Sequence, residues 1–493
     1  MRRLLALGAL LVSPAALAHG FGRLYNLPVP FWLYAWGASA VLLVSFVVVG
    51  WLAATPVAGA GPASRDISQA GWVVALRRAR FVPVLQVLAV VVLLLSIATG
   101  FFGVRDPYRN FSMTAFWVVF VLGFAYATAL IGDLYAAINP WRTLAGWLDK
   151  AWQGPSIRPQ SGLLRAGFSR GRMDYPQGLG DWPALALYAG FIWFELFSLG
   201  RPSTLAAMLA AYSAITLTGV WLFGATAWFR HGEFFSVFLR LVALMAPIEY
   251  RPGQALRWRL PFAGLLQERP AQASTVVFAL FMLSSTAFDG LKVTQGWVFF
   301  FWHNEWLAGW LGKSPIQAYA VLRPWYVAWD TFWLLASPFI YFGVYLLFVW
   351  LARLLARSTR PLRELALDFG YTLLPIALVY HVTHYFTLLL TQGVKIVSLV
   401  SDPFGWGWNL FGTLGLWRAP ILPDPGIVWH AQVALILLGH IASVVVAHAI
   451  ALRVFATRRQ AVMSQVPMLC LMVLFTVAGL WILAQPLTAM MMR

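Results

Sequence analysis

Charge is scarce in this chain. Only 11% of its 493 residues are Asp, Glu, Lys or Arg, against about 25% in a soluble domain, which argues against water as the main solvent. Cysteine is nearly absent. The single thiol, Cys470, lies in an apolar run, so no disulfide framework or Cys-based metal centre can form within one chain. There is no phosphate-binding glycine loop, dinucleotide fingerprint or serine nucleophile elbow. Those absences remove nucleotide cofactors, ATP-driven transport within this chain and the commonest serine hydrolases. Alternating short strands of the membrane-barrel type are missing, and no inverted internal repeat is visible.

What is present is hydrophobicity. Apolar residues make up 61% of the chain, in recurring runs of about 20, enough to cross a hydrocarbon core of about 30 Å as helices. The fold class is therefore all-α: a polytopic transmembrane bundle of about ten spans in one domain over 19–493. The spans are expected near 31–53, 83–103, 112–131, 182–199, 204–229, 274–292, 326–350, 368–391, 429–451 and 466–484. A further apolar stretch, 234–248, is short and contains Arg240. It reads as a helix lying at the cytoplasmic interface or re-entering, and not as a crossing.

Residues 1–18 read as a signal peptide. Arg2 and Arg3 precede an apolar stretch, and Ala16-Leu17-Ala18 is a small-x-small cleavage site that leaves His19 as the mature terminus. An uncleaved signal anchor is the alternative. With the mature terminus outside, the inner loops 54–82, 132–181, 230–273, 353–367 and 452–465 hold 23 Lys and Arg, against 10 in the outer segments. The positive-inside rule thus places the protein in a bacterial inner membrane with a periplasmic amino terminus. The net charge of +18 is mostly this topology, so membrane lipid is the expected partner and nucleic acid is not. Loop 132–181 reads as a surface loop. Asn139-Pro-Trp-Arg142 reads as a helix-ending turn with Arg142 anchored to lipid, and Asp330 as a partner of a helix N-terminus. The aromatic-rich outer segments 296–323 and 392–425 can fold back over the outer mouth.

Ionisable side chains inside spans are costly, and are candidates for function. His381 and His384 share one face of the eighth span at i, i+3, and His440 of the ninth lies at similar depth. The three can share a divalent metal ion, handle protons, or simply hydrogen-bond between helices. Glu195 and Asp289 sit among apolar neighbours. Either can be a metal ligand or the general base for an attacking water; Lys292 also offers Asp289 an ordinary salt bridge. His303-Asn-Glu305 can line the mouth or cap an interfacial helix, and a mature His19 offers a chelating pair suited to copper.

Several phrases resemble one family. They are His19-Gly-Phe-Gly-Arg23, Leu27-Pro-Val-Pro30, Ile138-Asn-Pro-Trp-Arg-Thr143, the Phe-Asp-Gly of 288–290, Tyr380-His-Val-Thr-His-Tyr385 and Asp402-Pro-Phe-Gly-Trp-Gly-Trp408. Together, over nearly the whole chain, they look like the bacterial membrane proteins labelled fenitrothion hydrolase. That resemblance implies hydrolysis of apolar organophosphorus (phosphorothioate) triesters, and it supplies no catalytic residues. Combined with the residues above, it gives a metal-assisted attack by water, with a metal at His381, His384 and His440 and a base at Asp289 or Glu195. Two other readings stand beside it. One is a secondary transporter using the same groups as a proton relay; the other is a non-catalytic membrane subunit of a metal-handling or respiratory assembly with a second subunit.

Overall fold

A computed structural model describes residues 29–52, 64–151, 167–198, 200–251, 254–417 and 419–489. The signal segment and His19 lie outside them. Eleven helices build the bundle: α1 Phe31–Leu52, α2 Phe81–Phe102, α3 Phe111–Leu130, α4 Trp182–Phe197, α5 Pro202–Phe223, α6 Phe234–Ala243, α7 Ala273–Lys292, α8 Tyr319–Leu355, α9 Leu374–Thr391, α10 Pro425–Val454 and α11 Arg458–Ala489. Among the described residues nine of them are long and apolar enough to cross a membrane, α9 together with the short helix before it; α4 and α6 are shorter. Apolar side chains such as Val47 of α1, Leu94 of α2 and Phe332 of α8 point out of the bundle, consistent with contact with membrane lipid.

Local chemistry sets the helix ends. Asn110 caps α3 by accepting from Ser112 N at 2.9 Å, while its amide donates to the carbonyls of Thr99 and Val104, so one side chain fixes the turn from α2 into α3. Pro202 opens α5, and Gly224, at φ +84°, closes it. Asp424 caps α10 through Gly426 N and Ile427 N. Residues Thr114–Phe124 of α3 wind as a π-helix, a geometry often found beside functional sites.

The centre of the bundle is α7, in which every residue from Ser274 to Gly290 is buried. It packs against α4, α8, α9 and α11, and α9 packs in turn against α10. Close approach needs missing side chains: a Cβ on Gly479 would fall on the Tyr380 phenol, and one on Gly290 would strike Ile482.

Two faces can be told apart by which loops touch. On one, Ser64–Asp66, Arg257–Arg259 and Ile248–Glu249 form a small antiparallel sheet with the Arg257–Arg259 strand in the middle, and Ile248 bridges to Gly132. Asp368 binds Arg269 at 3.0 Å and Arg360 at 3.2 Å, and Arg453 donates to Leu266 O. The five basic loops therefore share a face. On the other, Val104 N donates to Phe404 O, and Lys395 lies over the Tyr108 ring.

Several expectations need correction. Helix α6 does not lie at an interface: all its residues except Ser236 and Arg240 are buried, packed on Phe120, Phe191, Tyr188 and Tyr212. It re-enters. Asp181 shows this by bonding His231, before α6, and Thr275, after it, so the chain enters and leaves by the same face. Loop 132–181 contains two helices, Leu134–Ile138, which ends at Asn139 as expected, and Pro140–Ala151, which Pro140 starts, with Trp141 and Ala145 buried. Arg142 is not spread into lipid; its guanidinium lies 4.8 Å over the Phe229 ring. Asp330 is in the interior of α8, which begins at Tyr319, and accepts from Trp297 Nε1 at 2.9 Å. Asn304 does cap a short outer helix, Glu305–Leu311.

Candidate functional site

The last turns of α7 carry Ser285, Thr286 and Asp289 into the middle of the bundle, and α9 brings His381, His384 and Tyr385 against them. Asp289 is buried at 3% exposure, so an ionised carboxylate there requires partners. It has them: His384 Nε2 lies 3.0 Å from Oδ2, the Tyr385 hydroxyl donates to the same oxygen at 2.9 Å, and Lys292 Nζ lies 3.5 Å from Oδ1. An ionised carboxylate only accepts, so an ionised Asp289 would require the His384 proton on Nε2 in this contact. Lys292 also reaches α4, donating to Leu196 O at 3.3 Å and lying 5.3 Å over the Phe197 ring.

Beside this cluster is a cavity of ≈ 30 Å³, walled by Phe191 of α4, by Phe234, Phe235 and Phe238 of α6, and by Phe120 in the π-helical part of α3. Its polar groups are Tyr188, Glu195, Ser285, Thr286, His381 and Tyr385. That volume holds about one or two waters, whereas a drug-sized molecule needs about 300 Å³ or more. Glu195 is half-buried and makes no hydrogen bond or ion pair among the described residues. Tyr385 lines the cavity and also bonds Asp289, so it joins the two.

The three histidines part company. His384 is engaged with Asp289. The His381 ring lies between Tyr126, at 5.8 Å, and Tyr385, at 5.1 Å, and its Nδ1 has no partner among the described residues. His440 is fully buried, its Nδ1 2.8 Å from Ile436 O and its Nε2 without a partner among the described residues. No group of three or more His, Cys, Asp or Glu among the described residues is placed to hold a metal ion. Among the described residues, similar depth does not bring His381, His384 and His440 into one ligand group.

Sequence reasoning singled out Glu195, Asp289, His381 and His384 and missed the residues that connect them. Tyr385, adjacent to His384, and Ser285 and Thr286, at i−4 and i−3 from Asp289, were legible as one polar stripe on a helix face. Glu233 had no such signal. It is fully buried, caps α6 through Phe235 N and Ser236 N, and also takes hydrogen bonds from Tyr212, Ser236 Oγ and Asn139. The Asn139-Pro-Trp-Arg142 phrase thus docks the re-entrant helix.

Comparisons with protein-family models, curated proteins and solved structures find no match to this chain.

Proposed function

We propose that this chain is a membrane-embedded proton-handling protein of the proton-coupled carrier class, with its basic face in the bacterial cytoplasm. The observation that supports it is Tyr385. This residue lines a water-sized cavity that also holds Glu195, which makes no hydrogen bond or ion pair among the described residues, and it gives its hydroxyl hydrogen to Asp289. A proton leaving Glu195 passes to a cavity water and through the Tyr385 hydroxyl to Asp289, where His384 and Lys292 balance the carboxylate between transfers. A site of this size suits protons and water, and a larger cargo needs a second conformation. The test is reconstitution in proteoliposomes with a pH-sensitive dye inside. An imposed pH gradient should collapse faster with the wild type than with Glu195→Gln or Asp289→Asn; equal rates in protein-free and protein-containing vesicles would sink the reading.

A second reading, hydrolysis of apolar organophosphorus triesters, rests on the resemblance to fenitrothion hydrolases and on Glu195. A carboxylate facing a water-sized cavity is suited to take a proton from an attacking water. The water oxygen would bond to phosphorus as the bond to the aryl oxygen breaks, releasing the nitrophenolate. The triester itself does not fit the cavity, so this reading also requires an opening motion. Nitrophenolate release by purified protein, lost in Glu195→Gln, is the expected result; no release by the wild type removes the reading.

A further inference from the structure

On the basic face, at the foot of α6, is a second and much larger cavity of ≈ 1080 Å³. Its walls are held together by backbone. Arg172 N and Met173 N both donate to Leu222 O, and Ala225 N donates to Ser169 O at 2.7 Å. Gly171, at φ +76°, and Gly224, at φ +84°, make this approach possible, since a Cβ on Gly171 would meet Gly224 N and the Phe223 carbonyl carbon. The result is a fixed wall, with Ser169 and Arg170 in a turn on one side and Phe223 to Ala227, at a helix-to-helix junction, on the other.

The charge lining this cavity has one sign. Arg170 and Arg230 are exposed at its edge, and His231 joins them with its ring stacked on Tyr175 at 5.5 Å. No carboxylate among the described residues lines it. Two carboxylates hold lining residues in place, Asp149 accepting from Ser169 N at 3.2 Å and Asp181 lying 2.6 Å from His231 Nδ1. Ser169, Thr226 and Gln272 add neutral polar groups, while Phe223, Ala225 and Ala271 make part of the surface apolar. Guanidinium groups in a preformed recess suit phosphate oxygens.

We propose that this cavity is a binding site for a phosphate-bearing anion, held by Arg170 and Arg230 with His231 beside them. The phosphate could belong to the headgroup of an anionic phospholipid or be free in solution, and the two sources are separable. The site stands apart from the proton pathway, so failure of either proposal leaves the other in place.

The full-length protein in neutral detergent should be titrated with short-chain phosphatidylglycerol, with phosphatidylcholine of the same chain length and with inorganic phosphate, binding being read by native mass spectrometry and by the shift in melting temperature. Phosphatidylglycerol bound at least ten-fold more tightly than phosphatidylcholine identifies a lipid headgroup, and saturable binding of inorganic phosphate alone identifies a free anion. In either case Arg170→Gln with Arg230→Gln should weaken binding at least ten-fold, while Arg257→Gln, on the exposed sheet outside the cavity, leaves it unchanged. The melting temperature without ligand checks that the double variant is folded. If Arg257→Gln weakens binding as much as the double variant, the attraction is a property of the whole basic face and the site is overturned. Absence of binding by any of the three probes overturns it as well.

Discussion

His384 Nε2 and Asp289 Oδ2 lie 3.0 Å apart, closing a contact between α9 and α7 across 95 residues of sequence. With Lys292 on the other carboxylate oxygen, the contact gives a buried charge the partners it needs. Asp289→Ala removes the anion and leaves Lys292, which is mostly buried, without its counter-charge. The expected cost is about 3–5 kcal/mol, the usual penalty for breaking a buried pair from one side. Denaturant unfolding in detergent measures it; a loss below about 0.5 kcal/mol would show that the contact does not hold the helices together.

Tyr385→Phe separates linkage from folding. The ring still packs between His381 and His384, and the hydroxyl bond to Asp289 goes, at about 1 kcal/mol. Proton flux into proteoliposomes should nevertheless fall at least ten-fold. Flux at the wild-type rate would place the proton path elsewhere.

Glu233→Ala should be among the most damaging substitutions outside the site. It removes the cap of α6, worth about 1–2 kcal/mol. It also strands the buried Tyr212 hydroxyl, at about 1–3 kcal/mol for the unsatisfied group, and leaves the Asn139 amide with Ser236 Oγ as its remaining acceptor. Glu233→Gln keeps an acceptor and should cost less than half as much in the same unfolding measurement.

The parts of this architecture that follow from hydropathy and charge were legible in the sequence. Runs of apolar residues located nine of the ten expected spans as long apolar helices, the expected span 182–199 being the shorter α4. The Arg-rich loops share a face, as the meeting of Arg65 with Trp258 and of Arg269 with Asp368 bears out. Depth along a helix was legible too, which is why Asp289 and His384 were both candidates. Rotation about the helix axis was not. His440 has a depth similar to that of His384, yet its imidazole turns to Ile436 O, a choice made by packing against neighbours that no single run encodes. The burial of α6 was hidden for the same reason. A short apolar stretch with an Arg fits an interface as well as a re-entrant helix, and only the distant Asn139 and Tyr212 that receive Glu233 decide between them.

Acid should loosen the foot of α6. Burial works against ionisation of Asp181, but the His231 and Thr275 hydrogen bonds, at 2.6 and 2.5 Å, together with the Arg240 charge, outweigh it and hold the carboxyl below its ordinary range. A depressed folded pKa contributes stability above the unfolded value of about 3.9, and that contribution disappears as pH falls through the folded value. The melting temperature of the wild type should therefore exceed that of Asp181→Asn at pH 7, with the gap narrowing below about pH 4. A gap that stays constant down to pH 3 would assign the difference to packing alone.

Whether α6 re-enters can be decided by labelling. Its ten residues span about 15 Å, half of a hydrocarbon core of about 30 Å, and a lone crossing of that length would leave backbone groups in lipid. In a Cys470→Ser background, single cysteines at Arg170→Cys and Arg257→Cys bracket α6, and Tyr108→Cys lies on the opposite face. A membrane-impermeant maleimide added to intact spheroplasts should modify position 108 only; after permeabilisation it should reach 170 and 257 equally. If α6 crossed, 170 and 257 would be labelled from opposite sides and every later loop would invert, carrying Arg353, Arg357, Arg360 and Arg363 outward against the positive-inside rule. The contacts of Asp181 with His231 and Thr275 do not permit that arrangement, because a single side chain would have to touch both sides of the membrane.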